Sequence, residues 1–130
     1  MILGIGIDIV ENLRIRKTLD KYGDNFKNRC FSKIEIKKCE NRIDEVNSFS
    51  KRFAAKEACA KALGTGISKG IGWKDIEITN NKYGKPSIKL YNKALDRLNK
   101  ISKFNYKIDV SLSDEKKYSI ANVIIYKDEK

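Results

Sequence analysis

The chain has 130 residues, 41% of them hydrophobic and 35% charged, with a single proline and a formal net charge of +11. That length suits one domain with one core, and the composition excludes a disordered or membrane-spanning chain. The charge implies an anionic partner, whether nucleic acid, a phosphorylated small molecule, an acidic protein or a membrane surface, and does not choose among them.

The first segment, "ILGIGIDIV", alternates strictly, with Leu3, Ile5, Ile7 and Ile9 on one face and Gly4, Gly6 and Asp8 on the other. This predicts a strand whose second face has room on it. Its apolar run is broken by glycine and aspartate and follows no basic segment, which argues against a secretory signal or a membrane span and for a cytoplasmic protein. Ile15, Leu19, Tyr22 and Phe26 then recur at helical spacing, predicting an amphipathic helix from about Asn12 to Phe26 with Arg14, Lys17 and Lys21 as a basic outer stripe. A second helix is expected over residues 33 to 46, and "NSFS" offers Asn47, Ser48 or Ser50 as the cap of the next.

That next helix carries "RFAAKEACAKALGTG", Arg52 to Gly66. Ala55, Ala58 and Ala62 share one narrow stripe, small enough for the helix backbone to approach a neighbour closely. The helix should stop at Gly64, where "GTGISKGIG" opens a glycine-rich loop. A strand around Lys74 to Thr79, a turn at "NNKYGKP" and a strand from Ser87 to Tyr91 follow, then a short helix marked by Leu95, Leu98 and Ile101. Alternation at Ile108, Val110 and Leu112, and again at Ala121, Val123 and Ile125, predicts a C-terminal hairpin around "DEKKY". The order lacks a regular βαβ rhythm, which favours an α+β fold in a single domain over residues 1–130, with a mainly antiparallel sheet packed on a long central helix.

Cys30, Cys39 and Cys59 have no C-x-x-C spacing and no histidine to complete a zinc site, so buried or idle thiols are expected. Glu57 and Lys61 are spaced i,i+4, which on its own is an ion pair worth about 0.2–0.5 kcal/mol. Asp8 is harder to place, because a carboxylate in an apolar strand is costly to bury without a cation or hydrogen-bond donors. It either forms a salt bridge to a lysine, or meets Glu57 on the glycine side of the strand to hold Mg²⁺, with phosphate oxygens and waters completing an octahedron. In the second case the flanking lysines and the glycine loop would bind phosphate oxygens.

The segments "GIGIDIVE" (4–11), "RFAAKEACAKALGTGI" (52–67), "WKDIEI" (73–78), "YGKP" (83–86) and "VSLS" (110–113) together resemble the holo-acyl-carrier-protein synthases, the short bacterial class of 4′-phosphopantetheinyl transferases. The resemblance runs in order along nearly the whole chain. It implies Mg²⁺-dependent transfer of the phosphopantetheine arm from coenzyme A to a serine of apo acyl carrier protein, releasing adenosine 3′,5′-bisphosphate, in support of fatty acid biosynthesis. It also implies a homotrimer with active sites between subunits, and no nucleic-acid or membrane partner. By position, Asp8 and Glu57 correspond to the metal ligands and Lys61 to the lysine on the phosphate under attack, so that Glu57 and Lys61 form the catalytic pair. Gly64, Gly66, Lys85, Pro86 and Ser113 fall at the coenzyme, and Arg14, Lys17 and Lys21 at the acidic carrier. The general base stays open between a metal-bound water, Glu57 and a carboxylate of the carrier.

One departure stands out. Where the family commonly has histidines flanking "VSLS", this chain has Asp109 and Asp114. The second position lies near the coenzyme's 3′-phosphate in relatives, so either Lys116 or Lys117 takes over that contact or the coenzyme sits differently. The alternative from another class, a small basic nucleic-acid-binding protein, rests on the charge; the basic residues are spread along the chain and form no recognisable nucleic-acid motif.

Overall fold

The computed structural model describes residues 1–67, 70–103 and 105–128. In chain order the elements are β1 (Ile2–Glu11), α1 (Asn12–Tyr22), α2 (Asp24–Cys30), α3 (Lys33–Glu40), α4 (Glu45–Ala62), a 3₁₀ turn (Trp73–Asp75), β2 (Ile76–Asn80), β3 (Pro86–Leu90), α5 (Asn92–Ile101), β4 (Tyr106–Asp114) and β5 (Tyr118–Lys127). Positions 68 and 69 of the expected glycine-rich loop lie outside the described residues.

The α+β architecture is as expected, but the antiparallel strands divide between two sheets: β1, β5 and β4 in that order, and the hairpin β2–β3. The helix expected from Asn12 to Phe26 is broken at Gly23, whose φ of 50° few side chains adopt, and a second helix, α2, restarts at once. The next expected helix ends at Glu40 rather than at residue 46, and α4 begins earlier than foreseen, capped by the Asp44 side chain on the Asn47 amide instead of by Asn47, Ser48 or Ser50. The strand expected from Lys74 opens with the 3₁₀ turn and becomes extended only at Ile76.

The three-stranded sheet packs on α4 with an unusual choice of face. A Cβ built on Gly4 would stand 2.1 Å from the Ala62 carbonyl oxygen, and one on Gly6 only 1.8 Å from that of Ala58. Strand and helix backbones therefore touch directly, and the room left by the glycines is filled by the alanine stripe of α4. The isoleucines at 5, 7 and 9 face outward, each about 60% exposed. Around α4 the rest of the core closes through Phe31, Phe49, Ile15, Leu63, Ile78, Leu98, Val123 and Ile125, with Phe53 stacked on Trp73 at 4.6 Å.

Gly6→Ala should force the Ala58 carbonyl to move, an overpacking cost of about 3 kcal/mol. Thermal unfolding should show its midpoint lowered by on the order of 10 °C; an unchanged midpoint would mean that the strand and helix do not approach this closely.

Candidate active site

The β1–α4 contact decides where the charged residues meet. Two residues beyond Gly6 on the same face, Asp8 extends alongside the last turns of α4, where Glu57 and Lys61 project. Lys61 does not close the i,i+4 pair with Glu57: its Nζ donates to Asp8 Oδ1 at 3.1 Å and to the Ile7 carbonyl at 3.0 Å. The lysine partner for Asp8 that the sequence left open is thus Lys61. Half of the Lys61 side chain remains in solvent, against 18% of Asp8.

Glu57 stands next to this pair. Burial raises its pKa above the ordinary carboxylate value and the negative charge of Asp8 raises it further, while Lys61 and Arg14 pull in the opposite direction. Two carboxylates that repel each other beside half-exposed cations form a hard-oxygen donor set suited to a divalent ion such as Mg²⁺. Among the described residues no three ligating side chains cluster. A cation held by Asp8 and Glu57 would therefore leave most of its octahedron to substrate oxygens and water, which fits a phosphate-bearing substrate better than a structural metal.

The other expected site residues sit on four different parts of the fold. Gly64 and Gly66, both with positive φ, turn the chain away at the end of α4, one turn beyond Lys61. Lys85 and Pro86 lie where the β2–β3 turn enters β3. Ser113, near the end of β4, pairs with Ile120, which in turn pairs with Ile9. Asp8 and Ala121 belong to the opposite, helix-covered face, so one chain points Ser113 and Asp8 to opposite sides of the same sheet. Arg14, Lys17 and Lys21 are exposed on α1 and, with Glu11, Thr18 and Tyr22, line an open hollow.

Several structural groups escaped the sequence. Asp114 is not isolated: Lys51 Nζ lies 3.1 Å from Oδ1 and Asn47 Nδ2 donates to Oδ2 at 2.9 Å. Burial works against its charge, but these two hydrogen bonds prevail and hold its pKa below the ordinary value. Asn12 is buried and donates to the carbonyls of Glu115 and Lys116 while accepting from the Ser119 hydroxyl, which fastens the β4–β5 turn to the start of α1. Lys56, beside Glu57, is wholly buried and donates to Glu35 Oε1 at 2.8 Å and to the carbonyls of Trp73 and Ile76. Burial lowers its pKa, with Glu35 opposing. Glu35 also accepts from the amides of Ser32 and Ile78; the S-x-x-E spacing of a capping box was the available signal for this group. The three cysteines are free and buried as expected, and burial pushes the Cys59 thiol up to about 12.

Residues 4–123 match the 4′-phosphopantetheinyl transferase superfamily. The chain belongs to that family. It is 46% identical over 127 residues to a holo-[acyl-carrier-protein] synthase of Roseobacter denitrificans, covering 96% of this chain and 95% of that one. The crystal structure of the holo-[acyl-carrier-protein] synthase from Neisseria meningitidis superimposes with a TM-score of 0.85 at 37% identity, over 98% of this chain and 100% of the other. The Helicobacter pylori synthase in complex with coenzyme A gives a TM-score of 0.81 at 33% identity, over 94% of this chain and 99% of the other. This phosphopantetheinyl transferase keeps "GIGIDIVE" on β1 and "RFAAKEA" on α4 in direct contact.

A carboxyl with its folded pKa raised above the unfolded value binds its proton more tightly in the fold. Its charged form therefore costs stability, increasingly as pH rises from the unfolded pKa through the folded one. Glu57→Gln removes that cost. In divalent-free buffer the variant should melt above the wild type at neutral pH, with the difference vanishing below about pH 3.5, where Glu57 is protonated in the folded and the unfolded chain alike. A variant less stable at neutral pH would contradict the crowding of Glu57 against Asp8.

Proposed function

We propose that this transferase is a holo-acyl-carrier-protein synthase. It moves the 4′-phosphopantetheine arm of coenzyme A to a serine hydroxyl of apo acyl carrier protein, releases adenosine 3′,5′-bisphosphate, and serves fatty acid biosynthesis in the cytoplasm. The observation that carries this reading is the Asp8–Glu57–Lys61 group gathered at the β1–α4 contact.

Transfer of a phosphoryl-linked group needs in-line positioning and charge stabilisation more than covalent help, and no nucleophilic side chain is required of the enzyme. Asp8 and Glu57 would hold Mg²⁺ between them. Bound there, the ion supplies positive charge against the negative charge that builds on the leaving nucleotide. The Lys61 ammonium, half exposed and held by Asp8 and a backbone carbonyl, would swing onto the phosphate under attack. Gly64 and Gly66 would let the backbone approach the coenzyme without side chains in the way, and Lys85, Pro86 and Ser113 complete its walls. Arg14, Lys17 and Lys21 would steer and orient an acidic carrier protein.

The site is best completed by other copies of the chain in a homotrimer. Ile5, Ile7, Ile9 and Ile120 form an exposed apolar face on the β1–β5–β4 sheet, larger in character than scattered surface residues and suited to burial against a second copy. Ser113 lies on that face, so in such an assembly it stands at the boundary between chains.

Incubation of the protein with coenzyme A, Mg²⁺ and apo acyl carrier protein should add the phosphopantetheine mass to the carrier. Asp8→Ala and Glu57→Ala should lower the rate by about 100-fold or more, as loss of an electrostatic stabiliser does. An unmodified carrier in the presence of folded wild-type protein would sink the proposal, and full activity in either variant would remove the metal assignment. Ile7→Lys should sediment as a folded monomer with little transfer; a trimeric or fully active Ile7→Lys would exclude the outer sheet face as the interface.

A further inference from the structure

A guanidinium is buried at the root of the β2–β3 hairpin. Arg52, on α4, is 4% exposed. Its Nη2 donates to Asn80 Oδ1 at 2.8 Å, its Nη1 donates to the Ser48 carbonyl at 3.4 Å, and its Nε has no hydrogen-bond partner among the described residues. An arginine kept in the interior with two hydrogen bonds for five N–H donors is costly, and so small a set of contacts calls for an explanation beyond packing.

Asn80, the last residue of β2, passes the contact on. Its Nδ2 donates to the Gly84 carbonyl at 3.1 Å. Only one orientation of the amide serves both partners, oxygen toward the cation and nitrogen toward the carbonyl. The segment between is fastened from within by Asn81, whose side-chain oxygen accepts from the Tyr83 amide at 2.8 Å and the Lys85 amide at 2.9 Å. The Gly84 amide donates to the Asn81 carbonyl, and Gly84 takes a φ of 84° that favours glycine. Asn81 thus shapes the turn, while Asn80 ties it to the helix. A two-stranded hairpin is marginal alone, so an anchor of this kind decides where its tip stands.

We infer that Arg52 and Asn80 are positioning residues: the Arg52–Asn80–Gly84 relay fixes the Lys85–Pro86 turn relative to the helix that carries Glu57 and Lys61. Arg52 lies five residues before Glu57, so one rigid element both carries Glu57 and Lys61 and anchors the turn through Asn80. The hydrogen-bond relay stands by itself, whereas its consequence for coenzyme binding rests on the transferase reading. A loosened turn weakens binding of coenzyme A without touching the groups at the reacting phosphate, which appears as a raised KM with kcat preserved.

Asn80→Asp keeps an oxygen for Arg52 but cannot donate to the Gly84 carbonyl, and Asn80→Ala removes both contacts. In both variants, hydrogen exchange at the Gly84 and Lys85 amides should accelerate by about 10-fold or more, as expected for local opening. Steady-state transfer should show the KM for coenzyme A raised about 5- to 10-fold, with kcat and the KM for the carrier within about twofold of wild type. Unchanged exchange at Gly84 and Lys85 in both variants overturns the relay. Faster exchange with an unchanged KM for coenzyme A overturns the positioning role, as does an equal fall in kcat. A wild-type protein without transfer activity overturns the coenzyme role together with the function proposed above, while the exchange measurement still decides the relay.

Discussion

Direct contact between two backbones, β1 and α4, organises this protein. Helices and strands ordinarily meet through two layers of side chains. Here Gly4 and Gly6 have none, Ala58 and Ala62 nearly none, and their main chains take up the space. The approach brings Asp8 to Glu57 and Lys61, from which side-chain layers would otherwise hold it apart. It also fixes which face of the strand is covered, leaving the isoleucines exposed on the other. The same small residues thus create the polar centre and the apolar exterior.

Much of this was legible in the sequence because its signals are local. The alternation in "ILGIGIDIV", the alanine stripe of "RFAAKEACAKA" and the C-terminal hairpin follow from side-chain periods of two and 3.6 residues. The end of α4 before Gly64 follows from the conformational freedom of glycine. What periodicity could not give was the covered face of β1. The pattern separates Ile5, Ile7 and Ile9 from Gly4 and Gly6, and burial of the apolar set is the ordinary outcome. Tertiary approach reversed it.

The remaining differences have specific causes. Gly23 carries no signal of its own strong enough to split a run whose apolar spacing continues to Phe26, yet its φ splits it. Asp44 captures the α4 cap because it lies one turn ahead of the serines that also qualify. The buried Lys56–Glu35 pair and the Arg52–Asn80 contact join residues 21 and 28 positions apart, beyond any local pattern. The two aspartates at the family's histidine positions are likewise resolved by distant partners: Asp114 by Lys51 and Asn47, Asp109 by the Tyr126 hydroxyl at 3.1 Å on the outer sheet face. Lys116 and Lys117 stay exposed in the turn beside Asp114, with their carbonyls engaged by Asn12.

The central claim is that the strand–helix contact creates a cation site from two carboxylates and leaves the rest of the coordination to the coenzyme's phosphates. Anomalous diffraction from crystals grown with coenzyme A and Mn²⁺, in place of Mg²⁺, tests it most directly. A single strong peak within bonding distance, about 2.2 Å, of carboxylate oxygens from both Asp8 and Glu57 and of a phosphate oxygen is the expected result. Ordered coenzyme with the ion elsewhere, or with no ion between Asp8 and Glu57, would contradict it.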